Sequence, residues 1–431
     1  MMRLEHYQQI DAGQLEHAGH DYETLAQTYG TPLYIFDETS FRDRVASYRK
    51  AVSNDYFETE VLFASKALLT KAIARLIAEL GIGQDVVSAG EIYTGAENGV
   101  PTSKMYFHGN NKLNSELEYA IERGVGTIVV DNRMEIERVN QIAAAQGKKQ
   151  RVLLRLNPGI EAHTHEYIMT ANNDSKFGEN VHDEGISDVI RQLVNASNLD
   201  FKGFHSHIGS QIFEGESFLQ AATALLEFAA QVQIDHKIKI QEMNFGGGFG
   251  VYYTEEDQPF NVTEFLPQFM THVYTESQRL GIELNRVSIE PGRSLVNASG
   301  STLYRVGDLK TTVGGKKFLF VDGSMNDNIR PALYQAKYEA ILTKKATEQA
   351  DTTYTVAGKA CESGDVIIEE IELPKAETGD LLLVNGTGAY NYTMASNYNR
   401  LSKPAMIHIH EEEHYLTVRR ETFADLASNE I

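Results

Sequence analysis

Between residues 40 and 295, short apolar and β-branched runs alternate with longer stretches of helical period. The runs are "VLFAS" (61–65), "QDVVS" (84–88), "MYFH" (105–108), "TIVVD" (127–131), "RVLLRL" (151–156), "GFHSH" (203–207), "EMNF" (242–245) and "RVSIE" (286–290). Runs of this length that end in polar or glycine residues are how strands buried on both faces read. Between them, "LTKAIARLIAELG" (69–81) and "SELEYAIERG" (115–124) gather their apolar residues on one helical face. Eight such runs, each followed by helix-like sequence, predict a (β/α)₈ barrel over residues 39–295. The gap from 156 to 203 is longer than the others and predicts an excursion after the fifth strand.

After residue 300 the period changes. "TLYRVGDLKTTV", "KKFLFVDGS", "TTYTVAG", "DVIIEEIEL", "DLLLVNGTGAY" and "PAMIHIH" alternate and are punctuated by Gly, Asp and Pro. They predict a second, mostly antiparallel β domain over 296–431. "TPLYIFD" (31–37) reads as a strand that the N-terminal segment, 1–38, adds to it.

Composition narrows the class. A hydrophobic content of 42% in 431 residues supports a sizeable core, and a net charge of −21 disfavours a nucleic-acid or anionic-membrane partner. No uncharged apolar run approaches the roughly 18 residues of a membrane span. "MMRLEHYQQI" lacks a basic region followed by an apolar one, so no secretory signal is expected. The single cysteine fits a reducing compartment, and a soluble cytoplasmic protein is the expectation.

In a (β/α)₈ barrel the C-terminal strand ends face the active site. Here those ends carry Lys66, Ser88 with Glu91, His108, Asp131, Asn157, His205 with His207, Gly246–Gly247–Gly248, and Glu290 with Arg293. Lys66 is either a surface lysine or an amine held in an apolar mouth, where it can lose its proton and attack a carbonyl. The glycine triplet in "NFGGGFG" is either a tight turn or a backbone cradle for phosphate. Glu290 in "IEPGRS" either caps a helix, pairs with Arg293, or faces a pyridine nitrogen and favours its protonated form. Arg293 can bind a phosphate or carboxylate bidentately. His207 is either a structural histidine or a ring that lies flat on another ring. Cys361, the lone cysteine in "KACESGD", has no second cysteine or histidine beside it for a metal site. It is either a small core residue or a proton donor.

Taken together, "FASKA", "DVVSAGE", "HTHEYIMTANNDSKFG", "FHSHIGSQI", "NFGGGFG", "IEPGRS", "NIRPALY", "ACESGD" and "GAYNYTMASNYN" resemble the meso-diaminopimelate decarboxylase family. This is a group of pyridoxal-phosphate decarboxylases with the alanine-racemase-like (fold type III) barrel. The resemblance runs in order from about residue 30 to 405. It implies that Lys66 carries pyridoxal phosphate in Schiff-base linkage and that His207 stacks on its ring. Asp85, Ser210, Gly246, Gly247, Gly248, Pro291, Gly292, Arg293 and Tyr390 would hold the cofactor, its phosphate above all, with Glu290 on the ring nitrogen. Arg293, Arg330, Tyr334 and Tyr390 would hold the substrate's far end, with Glu362 near its distal amine. Cys361 would return the proton, reaching into the active site of the partner in a homodimer with shared sites.

The expected reaction is decarboxylation of meso-2,6-diaminopimelate to L-lysine, the last step of lysine biosynthesis. Two departures stand out: Leu68 replaces the Asn usual after the lysine motif, and "QAKYEA" follows Tyr334 where the family is His-rich. The competing readings are a decarboxylase of ornithine, arginine or carboxynorspermidine, and a non-catalytic cofactor-binding homologue. Neither fits as well. Substrates without a distal carboxylate would leave two arginines poorly used, and a non-catalytic chain would be free to lose Lys66 or Cys361.

Overall fold

The computed structural model describes residues 2–159, 175–259 and 261–431. The chain separates into two compact units. One comprises residues 45–251 and 258–294; the other comprises 1–44, 252–257 and 295–431.

The first unit is a closed barrel of eight parallel strands. These are β1 (Glu58–Ala64), β2 (Gly83–Val86), β3 (Met105–Phe107), β4 (Thr127–Val130), β5 (Gln150–Asn157), β6 (Leu199–His205), β7 (Glu242–Asn244) and β8 (Arg286–Ile289). Each pairs with the next in sequence, and β8 pairs with β1, which closes the ring. Closure leaves no exposed sheet edge. Leu62, Tyr106, Val129 and Leu153, from four different strands, form a buried cluster.

Helices follow the strands where the 3.6-residue period placed them. After β1 comes Lys71–Leu80, which begins at Thr70, whose hydroxyl caps the Ile73 N–H, and stops at Gly81 in the left-handed conformation. Asn114–Glu122 follows β3. In the long stretch after β5, the two-residue strand Glu179–Asn180 pairs with β5 and the helix Ile186–Asn195 follows. Most of "HTHEYIMTANNDSKFG", residues 163–174, lies outside the described residues.

The second unit is built around a mixed sheet. The long strand Gly300–Thr311 pairs antiparallel with Leu33–Asp37, Lys317–Val321 and Leu381–Asn385. Two pairings are parallel: Leu33–Asp37 with Ala405–His410, and Lys317–Val321 with Thr352–Ala357. Leu33, Ile35, Leu303, Leu383 and Ile407 are buried in one core cluster, and Val306, Leu319, Val356 and Val384 in another. A small three-stranded sheet, Gln8–Asp11, Gln14–His17 and His20–Asp21, was not expected from the sequence. No helix among the described residues is long and apolar enough to cross a membrane.

Candidate active site

The strand ends of the barrel gather a dense polar cluster. Lys66 sits on a single 3₁₀ turn, Ser65–Ala67, directly after β1, with its side chain exposed. That turn is anchored from beneath: Ser65 is buried and its Oγ accepts from Gln84 Nε2 at 2.7 Å. It is also tied to the end of β8, because the Ala64 N–H donates to the Pro291 carbonyl at 3.2 Å. Gly292 faces Ala64 and Ala67 so closely that a Cβ there would lie 2.8 Å from the Ala64 Cβ. The lysine turn and the "EPG" turn are therefore packed as one piece.

Glu290 is the centre of the cluster. Its Oε1 accepts from His108 Nε2 and from Asn244 Nδ2, both at 2.7 Å. Its Oε2 accepts from His205 Nε2 at 3.0 Å. Neither of the expectations tied to a helix cap or to Arg293 describes these contacts. Burial opposes ionisation of Glu290, but the two imidazoles and their hydrogen bonds outweigh it and hold the carboxyl well below the usual carboxylate range. His205 is pushed down to about 4, by burial first, with the Glu290 charge opposing. It is therefore a neutral donor through Nε2 at neutral pH.

Two further strands close the cluster. Asp85 on β2 is buried, and its Oδ1 has no hydrogen-bond partner among the described residues and lies 3.8 Å from His108 Nε2. Burial raises its pKa. Arg155 on β5 is buried, with its guanidinium 4.5 Å from the centre of the Phe177 ring.

The strand of "GFHSH" ends at His205, so His207 lies two residues past it, half-buried. The Gly247 N–H donates to His207 Nδ1 at 3.3 Å. Burial, and then the nearby charges of Lys66 and Arg155, hold this imidazole well below its ordinary pKa. A neutral ring accepting at Nδ1 is the result.

The glycine triplet follows β7 and is locked by backbone contact. Side chains at Gly246, Gly247 or Gly248 would come within 2.7, 2.1 and 2.2 Å of the carbonyls of Ser206, Glu290 and Gly209. Gly246 and Gly248 also have φ of 64° and 109°, which favour glycine. Nearby, Arg293 is buried and its Nη2 donates to Ser210 Oγ at 3.2 Å.

Other strand-end residues have local work. Ser88 caps the helix Ala89–Ala96: its Oγ accepts from the Glu91 N–H at 3.2 Å while Glu91 Oε2 accepts from the Val87 N–H at 2.7 Å. That is a capping arrangement. Glu91 is nonetheless pushed up to about 7, by burial first. Asn157 Oδ1 accepts from the Gly159 N–H at 3.0 Å. Beside buried Asp131, whose N–H donates to Glu135 Oε2, Lys112 and Glu135 form a buried ion pair. Lys112 Nζ also donates to the Gly109 and Val129 carbonyls, which staples the loop after His108 to β4.

The remaining predicted residues belong to the second unit. Arg330 is buried at the start of the short helix Arg330–Tyr334. Its Nη1 donates to Tyr338 OH at 2.6 Å and its guanidinium lies 4.7 Å from the Tyr253 ring centre. Tyr334 is half-buried. Tyr390 is half-buried and holds φ of 61°, an unusual conformation for a bulky side chain.

Cys361 is exposed, not a core residue. Its N–H donates to Asn399 Oδ1 at 2.7 Å, and Glu362 beside it is exposed too. The loop carrying them is set from below by buried Asp365, which accepts from the N–H groups of Met325 and Ala360 at 2.6 and 2.7 Å.

Asn244 and Arg155 were missed from the sequence. Both are polar residues inside otherwise buried parallel strands, and that mismatch was the available signal. His108, His205 and Glu290 also place one potential metal-ligand atom each within 4.8 Å of one another. Their mutual hydrogen bonds already use those atoms.

Residues 38–297, which hold the strand-end lysine, the glycine turn and the buried carboxylate, match the pyridoxal-binding domain of pyridoxal-dependent decarboxylases, and the chain is a member of that class. Diaminopimelate decarboxylase of Bacillus subtilis is 44% identical over 96% of this chain and 94% of its own length. That of Bacillus methanolicus is 42% identical over 95% of each. Among solved structures, the diaminopimelate decarboxylase of M. jannaschii in complex with L-lysine superposes with a TM-score of 0.92 at 32% identity, covering 98% of this chain and 97% of that one. The chain belongs to the diaminopimelate decarboxylase family. A lysine/ornithine decarboxylase from Vibrio vulnificus, 22% identical with a TM-score of 0.75, shares the fold.

The residues fit pyridoxal phosphate. A carboxylate has four acceptor positions, and three on Glu290 are taken by described residues. The fourth, on Oε2, suits a ring N–H. The glycine turn has no side chains to keep an anion from its backbone, and Arg293 and Ser210 add a cation and a hydroxyl beside it.

Proposed function

We propose that this protein decarboxylates meso-2,6-diaminopimelate to L-lysine and carbon dioxide, with pyridoxal phosphate as cofactor. The observation that carries the reading is Glu290: a buried carboxylate kept ionised by three N–H donors, with one acceptor position left. When bound, the cofactor supplies a protonated ring that takes up the electron pair left by the departing carboxyl group.

The chain's own residues do the rest. Lys66 Nζ would hold the cofactor at its carbonyl carbon. His207, neutral, offers a flat face without adding positive charge beside the ring. The backbone of Gly246–Gly248, the Pro291–Gly292 turn, Ser210, Arg293 and Tyr390 serve the phosphate, and Asp85 contributes a further carboxylate to the cofactor site. Arg330, Tyr334 and Tyr390, with Arg293, serve the substrate's distal carboxylate, and Glu362 its distal amine. Paired arginines are what separates a two-headed amino acid from ornithine or arginine. Cys361, exposed on its clamped loop, is the proton donor, and it acts in the partner's site of a homodimer. We place the enzyme in the cytoplasm, where a lone exposed thiol stays reduced.

The test is product analysis. Incubated with pyridoxal phosphate and each candidate amino acid, the protein should convert meso-diaminopimelate to lysine and leave ornithine and arginine nearly untouched. Borohydride should fix the cofactor on Lys66. Faster turnover of ornithine, or an adduct on another lysine, would overturn the assignment.

A further inference from the structure

The three donors around Glu290 come from three different strand ends: His108 after β3, His205 at the end of β6 and Asn244 at the end of β7. All three side chains are buried. One hydrogen bond is enough to orient a carboxylate; three have a further chemical effect. A carboxylate facing a pyridine nitrogen shares a single proton with it. The pair exists either as carboxylate and pyridinium or as carboxylic acid and neutral ring. Burial favours the neutral pair, because it disfavours both charges. N–H donors to the carboxylate favour the ionic pair, because they bond the anion more strongly than the acid.

We infer that His108, His205 and Asn244 are positioning residues that keep this shared proton on the ring nitrogen of the cofactor and off Glu290. The inference rests on pyridoxal phosphate being the cofactor with Glu290 on its ring nitrogen. The surrounding groups set the balance. Asp85, 3.8 Å from His108 Nε2, competes for that histidine. Arg155 is a buried cation whose charge acts on this cluster. His207 and His205 are neutral at neutral pH, pushed down chiefly by burial. The tautomer of His205 is fixed as well. Its Nδ1 is buried with no partner among the described residues, so a proton there would be a buried donor without an acceptor. The Nε2–H form, which donates to Glu290, avoids that cost. Asn244 performs the same task without titrating, so part of the effect is independent of pH.

The test uses the enzyme reconstituted with pyridoxal phosphate labelled with ¹⁵N in the ring, read by NMR at neutral pH. The wild-type resonance should lie at the pyridinium position. His205→Ala and Asn244→Ala should each move it toward the neutral-pyridine position, and the double variant further. His205→Gln, which retains an N–H at similar reach, should restore most of the shift. A merely structural role would leave the resonance in place. If the alanine variants fail to fold, His205→Phe and Asn244→Leu delete the donors while retaining volume. Folded, cofactor-bound variants with the wild-type resonance overturn the inference. A wild-type resonance already at the neutral position overturns the pairing of Glu290 with a protonated ring that it rests on.

Discussion

Replacing Gly247 with alanine adds one methyl group where the chain has no room. The new Cβ would stand 2.1 Å from the Glu290 carbonyl oxygen and 2.8 Å from its carbon. Carbon and oxygen in close contact lie about 3.3 Å apart, so the two segments must separate by about 1.2 Å. That separation acts on two hydrogen bonds: Glu290 N–H to the Gly246 carbonyl at 2.7 Å, and Gly247 N–H to His207 Nδ1 at 3.3 Å. Overpacking costs about 1–3 kcal/mol and one lost hydrogen bond about 1 kcal/mol. The total is about 2–4 kcal/mol, divided between fold stability and cofactor binding. Borne entirely by binding, it weakens the cofactor roughly 30- to 1,000-fold. The assay is a pair of measurements on Gly247→Ala: denaturant unfolding without cofactor, and a cofactor titration by absorbance. Gly314→Ala, whose Cβ meets only Thr312 Oγ1 at 3.9 Å, is the control and should change either by less than about 0.5 kcal/mol. If Gly247→Ala matches wild type in both, the close approach of the triplet to the Glu290 carbonyl constrains neither the fold nor cofactor binding.

Three other predictions follow from residues already placed. His205 is depressed to about 4 and His207 is also depressed, so between about pH 6.5 and 4 the unfolded chain binds protons that the folded chain refuses. Stability is full above that window and falls as pH drops through it, by roughly 3 kcal/mol for His205 alone; His205→Gln should remove about one proton from the slope of unfolding free energy against pH. Arg330→Ala should raise KM for meso-diaminopimelate at least about tenfold, the scale of one charged hydrogen bond, and a KM unchanged in steady-state assays would remove Arg330 from the substrate's far end. Cys361→Ala and Lys66→Ala should each be nearly inactive, with Cys361→Ala down about 10²- to 10⁴-fold. Mixed under demonstrated subunit exchange, they should recover about a quarter of wild-type sites if the site is shared across a two-fold pair; no recovery would refute the shared site.

The barrel was legible because buried parallel strands leave uninterrupted apolar runs, and each of the eight runs overlaps a strand. The strand ends were legible for the same reason, since the last apolar residue marks the face where chemistry sits. His207 shows the limit: "GFHSH" reads as strand throughout, yet the strand stops at His205. The sequence was silent on who touches whom. Nothing in the spacing of residues 108, 205 and 244 says that they converge on Glu290, because that depends on the curvature that brings β3 round toward β6–β8. Asn244 and Arg155 were hidden inside apolar strands, where a polar residue is easily passed over. The small N-terminal sheet was missed because its two-residue turns are Ala12–Gly13 and Ala18–Gly19, with the alanines at φ of 46° and 49°. Tight hairpins are usually announced by Asn-Gly or Asp-Gly.

Cys361 is the only thiol in 431 residues, and it is exposed on the isolated chain. A maleimide or aromatic disulfide reagent therefore modifies one atom per polypeptide, without mutagenesis and with no background from other cysteines. Its labelling rate becomes a built-in gauge of assembly: fast where the loop faces water, slow wherever another surface covers it. Added cofactor, added substrate or dilution can each be followed on that one clock, and the stoichiometry at completion counts the chains in solution.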